Sequence, residues 1–462
     1  MSQEKTVLAV VPWITDFAAY DLWMQPLGLL RLSSELKALG IHVDFINCLD
    51  RYDSGLLQRL KRTKPKHEQK YGCGRFYKET IEKPAVLKGI KRFYFRYGLP
   101  LDLFEKKLEA LPKLPDVILL SQSMTYWYPG TQLAASILKK YFPDSPIVLG
   151  GIYAILMPGH ARCALPVDHV YDRSDFDGAL ELILEVLGLK SLKKKSYSFH
   201  DIPRIDYSFL TDKRSVVLET TQGCPYRCRY CSQHLIHKDF KRQEPKKVID
   251  DILFYFREYS AKYFVFYDDA LAYEKEKHFL PLLKGIEKLG LKDISFHIPN
   301  GLSVSEINDE VAELLKACQF KTLRLSLETS SPLRQKETGG KATNRQFEHA
   351  VKCLHKAGFT NWEIETYIIM GLPGQSLEEI KNDADYVFEK EAFPVLAAYS
   401  PTPGSFYFEK YFQNSLQEPL LQNNTIFSAR SCEIDEEKVR LLRRAIKDKK
   451  IRRLNTLAKR LL

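Results

Sequence analysis

The sequence predicts two α/β domains and a helical tail: an N-terminal doubly wound parallel sheet, then an open partial (β/α)6 barrel, then a C-terminal helical extension. Three observations predict it. Short β-branched runs alternate with segments of helical period over residues 1–187, and six further strand-like runs recur between 214 and 405. Residues 433–462 then carry apolar positions at helical spacing in a cationic background. With 462 residues, 45% of them hydrophobic and 12% aromatic, the chain can bury more than one core.

Residues 6–11 are a continuous apolar strand. Leu29, Leu32, Leu36 and Leu39 then repeat at helical spacing until Gly40 ends the helix. Strands at 42–48, 116–120, 147–150 and near His169, with a helix over 131–141, continue the alternation. In such sheets ligands bind beyond the carboxyl ends of the strands. Two loops stand there: 121–129, with Tyr126, Trp127 and Tyr128 together, and the Gly150-Gly151 pair. The pair either lets a large flat ligand approach the backbone or makes a tight turn.

Residues 51–115 are too long for an ordinary connection. Bases and aromatics interleave in Arg75-Phe76-Tyr77-Lys78 and in Lys91-Arg92-Phe93-Tyr94-Phe95-Arg96. That pattern suits either a stacking surface for nucleic acid or, the reading preferred, an amphipathic cap whose lysines snorkel. Residues 188–213, with Lys193-Lys194-Lys195, several serines and Pro203, are expected to link this domain to the core at 214–405.

In the core, strands are expected at 216–220, 263–267, 294–298, 322–327, 364–370 and 395–400, with helices such as 248–259, 307–318 and 346–357 between them. Six units are too few to close an eight-stranded barrel, and the loops after the strands converge on one cleft. The first of these loops is Cys224-Pro225-Tyr226-Arg227-Cys228-Arg229-Tyr230-Cys231. Three thiolates at C-x3-C-x2-C spacing can hold three corners of an iron-sulfur cluster and leave the fourth iron open. A closed zinc site completed by His234 or His237 is the bland alternative. A disulfide is disfavoured, because three neighbouring cysteines cannot all pair and the nine cysteines come without a secretory context. A reducing compartment, the cytoplasm, is expected.

This cysteine spacing, with Tyr230 before the last cysteine, resembles the radical S-adenosylmethionine (SAM) superfamily. The resemblance implies a 4Fe-4S cluster on Cys224, Cys228 and Cys231, with SAM chelated at the open iron. It also implies an external electron donor such as flavodoxin or ferredoxin, and reductive cleavage to a 5'-deoxyadenosyl radical that abstracts hydrogen. Glu328, after the fourth core strand, matches the family's ribose-contacting acid; it is otherwise a surface carboxylate near a helix start. Gly371, Pro373 and Gly374, after the fifth, resemble its adenine-binding stretch, although glycine spacing alone is weak. Asp268 and Asp269, after the second, resemble the acidic pair of cobalamin-associated members, and would hold substrate or the amino group of SAM, or else merely cap a turn.

Gly150 and Gly151, together with the 26–39 helix after a long first loop, are similar to the cobalamin-binding domain of one subclass. None of the 11 histidines follows an Asp by two positions, and residues 12–26 contain no histidine. Cobalamin would therefore bind without a histidine ligand, or the domain has kept the fold and lost the cofactor. The implied function is radical SAM chemistry, with cobalamin-dependent methylation of an unactivated carbon. The alternatives are a cobalamin-free rearrangement or ring formation and, from another class, a non-enzymatic iron-sulfur or zinc module. No side chain is singled out as catalytic.

The net charge of +11 is local. Residues 438–462 hold eleven Lys/Arg against Asp448 alone, and residues 51–115 hold seventeen against seven acids, so the rest of the chain is acidic. Nucleic acid is therefore a disfavoured partner, and a small-molecule or lipid substrate is expected. Within the C-terminal extension at 406–462, the basic helix at 433–462 would pack on its own domain or touch an anionic membrane peripherally. No leader-like segment or membrane-spanning run is expected.

Overall fold

The computed structural model describes residues 5–193, 195–426 and 436–461, with side chains as far as 453. Lys194, Cys432 and the side chains of Leu454, Leu457 and Leu461 lie outside the described residues. The chain divides into two compact units, residues 1–217 with 258–261 and 418–421, and the remainder.

In the first unit five parallel strands lie in the order β3-β1-β6-β7-β8: β1 (Thr6–Val11), β3 (His42–Asn47), β6 (Val117–Ser121), β7 (Ile147–Gly150) and β8 (His169–Val170). Residues of β1 alternate between two cores, as a period of two requires. Val7, Ala9 and Val11 pack with α1 (Leu27–Ala38) and α3 (Phe176–Val186) through Leu29, Leu36, Leu180 and Leu184. Leu8 and Val10 pack with Ala134 and Leu138 of α2 (Tyr128–Tyr141). Helices thus cover both faces, the doubly wound arrangement.

The insert at 51–115 builds a sheet of its own. β2 (Ile14–Asp16), from the loop after β1, pairs antiparallel with β5 (Tyr94–Tyr97), which pairs with β4 (Lys78–Ile81). Tyr94 is buried and its hydroxyl donates to the Thr15 carbonyl, while the Lys78 ammonium lies 3.4 Å from the Phe95 ring centroid. The interleaved bases therefore lie along aromatics of their own sheet.

In the second unit six strands lie in chain order: β9 (Ser215–Leu218), β12 (Tyr263–Phe266), β13 (Ser295–Ser303), β14 (Phe320–Glu328), β15 (Ile364–Met370) and β16 (Phe393–Ala398). The boundary between the units falls inside β9. Neighbours from β12 to β16 pair in parallel. The helices between them include α4 (Pro245–Tyr259), α5 (Phe279–Leu289), α6 (Asp309–Ala317), α7 (Pro332–Glu337), α8 (Asn344–Lys356) and α9 (Leu377–Glu389). Phe264, Phe266, Phe296 and Phe320 stack on one face at centroid spacings of 5.3–6.1 Å and are fully buried. Six strands leave the barrel open, as expected.

A short helix, α10 (Phe406–Tyr411), follows β16, and α11 (Glu436–Leu461) ends the described chain. Of the two readings of the basic helix, packing on its own domain is the one observed, and peripheral membrane contact finds no support. Lys449 pairs with Asp385 at 2.6 Å, Lys450 with Glu365 at 2.9 Å, and Arg453 donates to the Phe388 carbonyl, so the basic helix binds its own domain. No helix among the described residues is long and apolar enough to cross a membrane.

Candidate active site

The cysteine loop leaves the end of β9 as a closed excursion. Its base is a short antiparallel ladder of β10 (Thr221–Gln222) with β11 (Lys241–Arg242). Gly223 closes that base at φ +79°, where any Cβ would stand 2.4 Å from the Asp239 carbonyl oxygen. Inside the loop, the Arg227 guanidinium donates to the Cys224 carbonyl at 2.9 Å and Cys231 N–H to the Cys228 carbonyl at 3.0 Å.

Two later segments clamp the loop from outside. Arg229 N–H donates to the Thr338 carbonyl at 3.0 Å, and Tyr407 N–H donates to the Arg229 carbonyl at 2.9 Å. Gly339, at φ +116°, leaves only 3.1 Å between a hypothetical Cβ and the Arg227 carbonyl oxygen. The loop conformation is thus set by residues more than a hundred positions away.

All three thiols are half-buried and free. Burial raises their pKa values, that of Cys231 to about 12 with the charges of Cys228 and Cys224 adding to it, while Lys341 opposes the rise at Cys224 and Cys228. Sulfur ligands that feel each other's charge suit a soft, thiophilic metal, whose binding releases their protons. The thiols share one loop without forming a finished cage: among the described residues no three His, Cys, Asp or Glu side chains are set to hold a metal ion.

The loop after β12 separates its two carboxylates. Asp268 is buried, and its Oδ1 accepts from Thr220 N–H (2.8 Å), the Thr220 hydroxyl (2.9 Å), the Thr221 hydroxyl (2.8 Å) and Thr221 N–H. Burial pushes its pKa up to about 7. Asp268 therefore fixes the strand end from which the cysteine loop departs. Asp269 is the exposed member; burial of its carboxyl group and then the Glu219 and Asp268 charges raise its pKa, an effect solvent screens on its open side. Gln233, two residues beyond Cys231, donates to it.

Glu328 ends β14 at φ +71°, with a register shift against β15 between Ser326 and Glu328. A non-glycine residue in that region is strained, and strain of this kind gathers at functional sites. Burial raises the pKa of Glu328, and Lys341 and a hydrogen bond from the Tyr230 hydroxyl oppose the rise. Sequence reasoning missed Lys341. It ends the Gly339-Gly340-Lys341 turn, faces Glu328, Cys228 and Cys224, and lies 5.7 Å from the Tyr226 ring centroid. The available signal was a lone lysine behind two glycines, both at positive φ.

Gly371, Pro373 and Gly374 form the turn after β15. The buried Gln375 side chain closes it, accepting from Gly371 N–H (2.8 Å) and Leu372 N–H (3.2 Å) and donating to the Ile369 carbonyl (3.0 Å). Arg334 holds the Pro373 and Gly374 carbonyls at 3.3 Å. Of the two polar residues His297 and Asn300 on β13, His297 is structural, held between the Ser295 and Thr322 hydroxyls and kept neutral by burial, with its pKa pushed down to about 3. Asn300 donates to the Tyr267 carbonyl.

In the first unit the glycine pair also divides. Gly151, at φ +94°, is required by its own domain, since a Cβ would stand 2.5 Å from the Gln122 carbonyl oxygen; Gly150 faces open space. Met124 and Ile152, which follow β6 and β7 at the carboxyl ends of the strands, are exposed. Tyr126 and Trp127 belong to the core instead, with the Trp127 indole donating to Asp16 at 2.7 Å.

Residues 218–387 match the model of the Radical SAM superfamily. The chain is 28% identical over 352 residues to an uncharacterized methyltransferase of Pyrococcus horikoshii, covering 69% of this chain and 74% of that one. It is 22% identical over 299 residues to bacteriochlorophyllide d C-8(2)-methyltransferase of Chlorobaculum tepidum, covering 58% and 63%. An anaerobic magnesium-protoporphyrin IX monomethyl ester cyclase of Rubrivivax gelatinosus is 22% identical over 204 residues, 43% of this chain and 35% of the cyclase. Among solved structures, the radical SAM methyltransferase TsrM of Kitasatospora setae, described with cobalamin and a [4Fe-4S] cluster, superposes with a TM-score of 0.63 at 13% identity, over 88% of this chain and 74% of TsrM. OxsB, a cobalamin-dependent SAM radical enzyme, superposes at 0.55 and 15% identity, over 90% and 56%. Residues 218–387 thus form a radical SAM domain, and the chain shares the overall fold of TsrM and OxsB.

Proposed function

We propose that the protein is a radical SAM methyltransferase that uses cobalamin to methylate an unactivated carbon of a small-molecule or lipid substrate. The observation that carries this reading is the cysteine loop clamped at the first barrel strand, with Glu328 and Lys341 acting electrostatically on its thiols. A [4Fe-4S] cluster on Cys224, Cys228 and Cys231 would supply the single electron for SAM cleavage, drawn from a flavodoxin- or ferredoxin-type donor in a reducing cytoplasm. The remaining work is done by protein groups that orient SAM and exclude water.

Glu328, an acceptor held in a strained backbone, would take the ribose hydroxyls, and Tyr230 would hold its carboxylate in place. The exposed Asp269 suits the amino group of SAM, and Lys341 suits its carboxylate. The turn at Gly371, Pro373 and Gly374 would border the adenine, with Gln375 keeping its amides from competing. In the first unit, open Gly150 with the exposed Met124 and Ile152 at the strand ends would suit a broad flat ring, and no histidine stands in the loop after β1 to ligate it. The methyltransferases among the relatives support the transfer.

A cobalamin-free rearrangement or ring formation is the second reading, favoured by the Rubrivivax cyclase among the relatives. Anaerobic incubation with SAM and reductant tests both. Corrinoid extracted with the protein, and S-adenosylhomocysteine beside 5'-deoxyadenosine, are expected. 5'-Deoxyadenosine without corrinoid would favour the second reading, and stoichiometric zinc with neither product would refute both.

A further inference from the structure

The cysteine loop turns one side to solvent, and that side is cationic. Arg227 and Arg229 are exposed while Cys228 between them is half-buried. The Arg229 guanidinium lies 4.8 Å from the ring centroid of Phe406, which is 48% exposed. The Lys410 ammonium lies 5.9 Å from the same ring and 4.8 Å from that of Tyr411, which is 47% exposed. Leu235, 44% exposed, packs against Gly404, where a Cβ would meet its Cδ1 at 2.0 Å.

These residues are tied to the cysteine loop by hydrogen bonds. α10 starts where Tyr407 N–H bonds the Arg229 carbonyl, and the Ser232 hydroxyl donates to the Pro403 carbonyl at 2.8 Å. The nearby acids are engaged: Glu409 accepts from Gly404 N–H at 3.0 Å, and Glu337 stands 3.9 Å from Arg334. Among the described residues neither Arg229 nor Lys410 has an ion pair. The result is a small aromatic and aliphatic centre rimmed by unpaired cations, directly outside the metal ligands.

We propose that this face, Arg229, Leu235, Phe406, Lys410 and Tyr411, docks an acidic one-electron carrier protein and is where the electron enters the site. The proposal rests on the radical SAM reading. Redox encounters use small interfaces, and complementary charge raises their association rate and orients them. Aromatic residues and arginine are enriched at interface centres. The balance is simple: the reduced carrier loses one electron, the cysteine-bound centre gains it, and no bond or proton is exchanged.

The test uses the full chain with its centre reconstituted, a bacterial flavodoxin hydroquinone as the carrier and reduced methyl viologen as a small reductant that needs no docking face. The variants are Lys410→Glu and Phe406→Ser. Binding is read from flavin fluorescence on titration, and reduction from bleaching in stopped flow. Both variants should weaken flavodoxin binding and slow its reduction of the centre by about tenfold or more at low ionic strength, with the wild-type difference shrinking as salt is added. Methyl viologen should reduce all three proteins at one rate. Unchanged flavodoxin binding in both variants overturns the proposal, and so does an equal loss with both reductants, which would mean that the substitutions act on the loop. If methyl viologen yields no SAM cleavage even in the wild type, the radical SAM reading falls and the docking face falls with it.

Discussion

Replacing Asp268 tests how the cysteine loop is anchored. In Asp268→Ala, the amides of Thr220 and Thr221 lose their acceptor inside a buried site. Each unmet buried donor costs about 1–3 kcal/mol, so the metal-free core should lose roughly 2–6 kcal/mol. Asp268→Asn keeps an acceptor oxygen and resembles the protonated acid, so it should lose less. The sign of the pH effect follows from the folded pKa of about 7, raised from an ordinary value of 3.8. The contribution to stability is full below about pH 4 and is lost as pH rises through 7. Between pH 6 and 8 that loss is about 1.4 kcal/mol, one pKa unit's worth, and the Asn variant should lack it. Urea unfolding at the two pH values gives the energies, hydrogen exchange at Thr220 and Thr221 gives the local effect, and iron per chain after reconstitution gives the consequence. Wild-type exchange, stability and iron content in the Ala variant would refute the anchoring role.

Three further substitutions probe other joints. Gly339→Ala forces a Cβ to 3.1 Å from the Arg227 carbonyl at φ +116°, and should cost ~1–3 kcal/mol and lower the iron content of reconstituted protein. Lys341→Met should leave cluster assembly intact but weaken SAM binding by about ten- to a hundredfold, the value of a charge-assisted hydrogen bond, with Lys341→Arg restoring part of it; titration followed by the cluster's electron paramagnetic resonance (EPR) signal reads both. Arg324 donates to Glu365 at 3.0 Å and to the Tyr367 hydroxyl, and Lys450 of α11 joins them. Arg324→Leu should destabilise the second unit by roughly 2 kcal/mol, because it leaves a partly buried carboxylate short of a partner, whereas Lys450→Ala should cost about 1 kcal/mol in urea unfolding.

Much of the architecture was legible because local signals repeat. The continuous apolar run of β1 and the leucine spacing of α1 are enough to draw the doubly wound sheet, and six strand-like runs limit the barrel to an open one. The cysteine loop stands out by spacing alone. Pairing between distant segments was not legible. Nothing local shows that Ile14–Asp16 joins Tyr94–Tyr97 in a sheet, or that Thr338 and Tyr407 clamp Arg229. The division of labour within Asp268-Asp269 depends on which of two adjacent side chains turns inward, a fact set by the strand end. The positive φ of Glu328 comes from a register shift against a neighbouring strand, and Lys341 is brought to the thiols by a turn thirteen residues beyond Glu328. The structural role of His297 was equally hidden, because its two hydroxyl partners, Ser295 and Thr322, carry no spacing signal.

The most direct measurement of the central claim is EPR spectroscopy of the reconstituted, reduced protein with and without SAM, beside the Cys224→Ser, Cys228→Ser and Cys231→Ser variants. About four irons per chain are expected in the wild type, with a cluster signal that shifts when SAM is added and is lost in each variant. A signal indifferent to SAM, or zinc bound in place of iron, would contradict a cluster with an open iron on these three cysteines.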